Sequence, residues 1–148
     1  MKFNTIVVAV DGSTHGMKAL ELAADLAVAV DAVLHVVSVY RHHSVYESTH
    51  SLVRGREVVP HPDSSMKALA REICEDHARR AKELGVPDPV IAVRRGAPAR
   101  GIVDYVEEVK ADCVVVGSQG LGDSGGLFLG SVSQKVATQA RCTCITVK

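Results

Sequence analysis

The residues most able to do chemistry lie in one stretch, Gly117-Ser118-Gln119-Gly120-Leu121-Gly122-Asp123-Ser124-Gly125-Gly126-Leu127-Phe128-Leu129-Gly130-Ser131-Val132-Ser133. It joins an apolar run, Cys113 to Val116, to a segment of helical period that opens at Ser131. Six of the chain's 12 glycines fall here. Glycine allows positive φ and close approach of a ligand to the backbone, and a helix N-terminus presents unpaired N–H groups with a partial positive charge. The chemistry this implies is anion binding, phosphate above all. Each hydrogen bond to a charged oxygen contributes roughly 1.5 to 3 kcal/mol, so three or four carry a micromolar complex of about −8 kcal/mol after the costs of association. A plainer account is a loop in which Ser131 caps the helix and Gln134 completes a capping box.

Other phosphate and catalytic patterns fit less well. No glycine is followed by lysine, so the Walker loop is absent, and the GxGxxG match at Gly120-Leu121-Gly122-Asp123-Ser124-Gly125 has no acidic residue after it, as a dinucleotide site requires. Ser13, Ser118 and Ser124 stand in no G-x-S-x-G elbow, and no acid–base pair accompanies them. Four of the seven histidines, His42, His43, His50 and His61, share one Ser- and Thr-rich segment without the spacing or cysteine partners of a zinc site. His35 reads as a strand histidine with a satisfied partner. Arg79, Arg80 and Lys82 interleave with Glu72, Glu75 and Glu83, which describes a solvated helix face with ion pairs.

The elements that must position the glycine stretch follow from periodicity. Short apolar runs rich in β-branched residues (6–10, 33–39, 90–93, 113–116 and 144–147) alternate with helical segments, the pattern of a parallel sheet covered on both faces. The fold class is α/β, one domain over residues 1–148. The first helix spans Thr14 to Val30, with Met17, Leu20, Ala24 and Ala27 inward. The second spans about Ser64 to Leu84, with Met66, Leu69, Ile73 and Leu84 inward, a cap at Asp63 or Ser64, and Gly85 closing it. The third starts at Pro98 and runs to about Lys110, and the fourth covers Ser131 to Arg141. The segment from Arg41 to Pro62 has no period and reads as a variable, partner-facing loop.

Composition narrows the function further. In 148 residues, 17 Lys+Arg balance 17 Asp+Glu, and aromatics are 3% with no Trp, so neither the field nor the stacking platforms of a nucleic-acid binder are present. No run of 18 apolar residues marks a membrane span, and the apolar start, broken by Asp11-Gly12, reads as a first strand rather than an export signal. Cys74, Cys113, Cys142 and Cys144 do not form a small-protein disulfide framework, which suits a reducing cytoplasm. Cys142 and Cys144 share one strand face, and two thiols alone do not make a zinc site.

Gly117-x2-Gly120-x9-Gly130-Ser131 resembles the nucleotide motif of the universal stress protein family. Ile6-Val7-Val8-Ala9-Val10-Asp11-Gly12-Ser13 is similar to that family's first strand, Leu34-His35-Val36-Val37 to its second, and Gly96-Ala97-Pro98-Ala99 to the start of its third helix. The resemblance implies an open five-stranded parallel sheet of order 3-2-1-4-5, adenine nucleotide alpha hydrolase-like, with helices on both faces and Asp11 and Gly117 at the switch point. It implies that Ala9, Asp11 and Val36 line the adenine and ribose end, with Gly117, Gly120, Gly130, Ser131, Val132 and Ser133 around ribose and phosphates. It also implies a homodimer through the C-terminal edge strand. The chain departs from the ATP-holding pattern at Gln119, where relatives often carry His or Arg, and in 121–129, which hold no basic residue and include Asp123. A carboxylate there favours AMP or ADP, or ATP accompanied by Mg²⁺.

The reading is a cytoplasmic module that binds an adenine nucleotide in the stress response, with at most slow ATP hydrolysis because no water-activating group is apparent. The alternatives are a weak Mg²⁺-dependent ATPase in which Asp11 helps hold the metal, and a dimeric interaction protein with an empty nucleotide cleft.

Overall fold

A computed structural model describes residues 2–41, 62–119 and 130–148. Five strands, β1 (Thr5–Ala9), β2 (Val33–Tyr40), β3 (Val90–Arg95), β4 (Cys113–Gly117) and β5 (Thr143–Val147), form one sheet of order β3-β2-β1-β4-β5. All pairings are parallel, with Ala9 beside Val37, Val8 beside Val115, and Gly117 beside Val147. Among the described residues, four helices connect them: α1 (Thr14–Val30), α2 (Pro62–Glu83), α3 (Pro98–Glu108) and α4 (Ser131–Gln139). The expected α/β class and strand order are therefore observed, and each strand and helix read from periodicity is present with ends shifted by a few residues at most.

The apolar runs are continuous because both faces of the sheet are covered. Ile6, Val8, Leu34, Val36, Cys113 and Val115 pack with Leu20, Ala23, Ala24, Ala27, Cys74 and Ala81 of α1 and α2. On the other face Val7, Val37, Val114 and Val116 pack with Ile102, Val103, Tyr105, Val106 and Val136 of α3 and α4. Alternation along β1 and β2 thus decides which helix layer each valine meets.

Helix boundaries follow local chemistry. Ser13 caps α1, its Oγ accepting the Gly16 N–H at 3.1 Å. Gly85, at φ +106°, closes α2, and the Val86 N–H returns to the Ala81 carbonyl at 3.0 Å. Pro98 opens α3 at its first turn.

Two details differ from the periodicity. Helix α2 begins at Pro62, so Asp63 stands in its first turn, where it pairs with Arg95 at 3.4 Å. Leu69 is 51% exposed and not inward, because Ala70, Cys74, His77 and Ala81 already fill the buried stripe of α2. The charged face of α2 is solvated and ion-paired as expected, with Arg80 bridging Glu83 and Glu21 at 3.1 and 3.3 Å. The 41–62 loop lies, from 42 to 61, outside the described residues.

Candidate functional site

The sheet order reverses between β1 and β4, and helices leaving these two strands depart to opposite faces. A cleft of about 450 Å³ opens at the carboxyl ends of β1 and β4, within the usual size range of small-molecule sites.

Its first wall is the turn from β1 into α1. The Asp11 Oδ1 accepts the Ser13 N–H at 2.9 Å, Gly12 takes φ +86°, and Ser13 then caps α1. Asp11 is thus a turn-forming carboxylate and a cleft-lining one at once. Gly16 is buried in the first turn of α1, where a Cβ would sit 3.3 Å from Asp11 Oδ1.

The second wall is the end of β4 and the start of α4. Gly117 lines the cleft, and a Cβ built on it would lie 2.8 Å from the His15 carbonyl carbon and 2.9 Å from its oxygen. Glycine here is what lets α1 approach β4. Gly130 is the N-cap of α4 and supplies no side-chain cap; the helix's first turn carries no acidic residue. Ser131 is therefore the first helical residue and not the cap, and the Gln134 N–H makes the first helical bond to the Gly130 carbonyl at 3.0 Å. The Gly130 N–H donates to the Ser118 carbonyl at 2.6 Å, and the Ser133 hydroxyl is shared between the Ser118 and Gly130 carbonyls at 3.0 and 2.9 Å. These bonds fix the N-terminus of α4, the positive end of its dipole, at the cleft that Ser131, Val132 and Ser133 line.

The third wall is apolar: Val39 from β2 and Pro98 and Ile102 from α3. Ala9, Asp11, Gly117, Ser131, Val132 and Ser133 are thus brought together around the cleft, and Gly130 adjoins it. Gly120 lies outside the described residues. Val36 is placed elsewhere. It is wholly buried under α1 and α2, because it has the opposite parity from Val39. Val39, two residues beyond the Val37 that pairs with Ala9, is the β2 valine at the carboxyl edge on the cleft's face. Counting register outward from Ala9 would have found it. Arg41, which the sequence reading assigned to the variable loop, also lines the cleft and is exposed, the one cation among the described lining residues.

Elsewhere, His35 is accounted for by structure: its Nδ1 lies 2.8 Å from the Tyr105 hydroxyl, and burial lowers its pKa. Burial pushes the thiols up, Cys74 to about 12 and Cys113 to about 11. Cys142 and Cys144 are half-buried on the α3/α4 face, with Cys113 on the other. No three of His, Cys, Asp or Glu among the described residues converge on a metal position. Among the same residues, no helix is long and apolar enough to cross a membrane.

Fold and site together define a doubly wound α/β protein with a ligand-sized cleft at its topological switch point. The model of the universal stress protein family matches residues 2–148. A universal stress protein of Thermus aquaticus is 33% identical over 154 residues, covering 99% of each chain. The crystal structure of a universal stress protein in complex with cAMP is 27% identical with TM-score 0.74, covering 100% of this chain and 99% of that one. UspA of Lactobacillus plantarum superposes with TM-score 0.81 at 20% identity, over 100% of this chain and 99% of its own. This chain belongs to the universal stress protein family, and its sheet has the adenine nucleotide alpha hydrolase-like fold.

Proposed function

We propose that the protein binds an adenine nucleotide and acts as a regulatory module of the stress response. The carrying observation is the pairing, within one cleft, of an apolar wall (Val39, Pro98, Ile102) with the glycine-capped N-terminus of α4. The wall suits the faces of a base, and the N–H groups of a helix start suit a phosphate. Arg41 at the same cleft adds a cation that the sequence pattern of the glycine loop lacks. Further support comes from the relative crystallised with cAMP. In this reading Ala9, Asp11, Gly117, Gly130, Ser131, Val132 and Ser133 hold the ligand, and Val39 takes the place first given to Val36. Asp11 is the one carboxylate among the described lining residues, so ATP would be accompanied by Mg²⁺ held between Asp11 and the phosphates.

The test is chromatography of the supernatant after denaturing the purified protein, followed by calorimetry with AMP, ADP and ATP·Mg²⁺. Binding in the micromolar range is the expected result. Gly130→Asp sets a carboxylate at the cap, where it competes for the N–H groups meant for phosphate, and abolishes binding. A wild type that binds none of the three, or a Gly130→Asp variant that binds equally, refutes the proposal.

The proposal extends to a cytoplasmic homodimer. Strand β5 pairs with β4 on one side only among the described strands, and its Cys144 to Val147 are half-buried, a profile suited to antiparallel pairing with a second copy. The four cysteines are free, as in a reducing compartment. Light scattering at micromolar concentration should give twice the chain's 15.7 kDa; a monomer would refute the pairing.

A further inference from the structure

Helix α3 contains a glycine that its backbone does not require. Gly101 is the fourth residue of α3; its φ is not positive, and its N–H makes an ordinary helical bond to the Ala97 carbonyl at 2.8 Å. It forms no turn and no cap, and glycine is the poorest helix former after proline. What distinguishes the position is its neighbour. A Cβ at residue 101 would lie 2.6 Å from Val39 Cγ1, 3.0 Å from Cγ2 and 3.4 Å from Cβ. Both methyls of Val39 are seated in the notch that the missing side chain leaves.

Val39 lines the cleft, and so do Pro98 and Ile102 on the same helix as Gly101. The contact that sets how far α3 stands from β2 is therefore also the contact that sets the spacing of the apolar wall. Valine is stiff at χ1, so it cannot turn a methyl aside without placing it elsewhere in a packed region. An added methyl has two outlets. Either Val39 moves toward the cleft and narrows it, or α3 moves off the sheet and carries Pro98 and Ile102 with it. Both change the width of the wall.

We infer that Gly101 is a specificity-determining positioning residue: by seating Val39 it fixes the width of the apolar wall and so the fit of the base. The inference rests on the nucleotide reading above and assigns the base end of the cleft within it.

The experiment is calorimetry with AMP on the full chain for the wild type, Gly101→Ala, Val39→Ala and the double variant, with thermal melts alongside to verify folding. Alanine favours the helix, so Gly101→Ala should remain folded. Its affinity should fall about tenfold, the size expected when one methylene is forced into a packed contact. The double variant, in which Val39→Ala clears the space, should bind within about threefold of Val39→Ala alone, as coupled neighbours do in a double-mutant cycle. Rescue of affinity by the second substitution is a result that mere helix destabilisation would not give. If the wild type binds and Gly101→Ala binds equally, or if the two losses simply add, the inference falls and the nucleotide reading stands. If the wild type binds no AMP, ADP or ATP, the nucleotide reading fails and takes the base assignment with it.

Discussion

Gly117 can be glycine for two reasons, and one substitution separates them. If it is glycine so that a ligand can approach the backbone, Gly117→Ala leaves the nucleotide-free protein unharmed and weakens binding only. The geometry points the other way. An added Cβ would meet His15 C and Cβ at 2.8 Å and His15 O at 2.9 Å, where carbon atoms prefer about 3.5 to 4.0 Å. Two of these atoms are backbone in the first turn of α1, so no side-chain rotation relieves the clash. That turn is held in place by the Ser13 cap and the Asp11 bond to the Ser13 N–H. The cost should reach the upper part of the overpacking range, about 3 kcal/mol. For a chain near 150 residues each kcal/mol lowers Tm by about 2 to 4 °C, so the fall should be about 6 to 12 °C. Thermal unfolding of nucleotide-free protein followed by far-ultraviolet circular dichroism measures it. Alanine at an unstrained glycine position stabilises by about 0.4 to 1 kcal/mol through the unfolded chain, so the two explanations predict opposite signs. A Tm equal to or above wild type would refute the reasoning that α1 packs on Gly117.

Two further outcomes follow from local bonds. Ser13→Ala removes the oxygen that accepts the Gly16 N–H and should cost about 1 kcal/mol, a Tm lower by about 2 to 4 °C; an unchanged melt would show that the cap contributes nothing. Asp112 Oδ2 accepts the Thr5 and Asn4 N–H groups at 2.9 and 2.7 Å, and these bonds hold its carboxyl below its ordinary pKa of 3.8. Because the folded value is the lower one, its stabilisation is present above that ordinary value and is lost as the pH falls through the depressed one. The wild type should therefore outlast Asp112→Asn in thermal melts at neutral pH, and the gap should close in strong acid; a gap that widens on acidification would contradict the assignment.

Much of the molecule was legible in the chain because the relevant signals are local. Short continuous runs rich in β-branched residues suit strands buried on both faces, Pro98 can open a helix but not continue one, and Gly85 can close one. The clustering of glycines ahead of Ser131 pointed to the proposed anion site for the same reason: backbone freedom and a helix start are properties of adjacent residues. Leu69 misled because helical period permits more than one stripe, and the small residues Ala70, Cys74 and Ala81 let α2 pack closer than leucine would.

Contacts between distant segments had to wait for the tertiary structure. Parity along β2 is visible in sequence, but which parity faces the cleft depends on the register with β1 and on α3 lying over that face, so Val39 and not Val36 forms the wall. Arg41 belongs to the site only because β2 carries it to the carboxyl edge. Gly101 against Val39 and Gly117 against His15 are pairings of residues far apart in the chain; the sequence pattern marks Gly117 only as part of a glycine motif and does not single out Gly101. Sequence alone determined which segments become strands and helices and which stretch is proposed to take an anion, since those preferences act within a turn or two of chain. The shape and width of the cleft were decided by packing, since two surfaces set the distance between them only once both are folded.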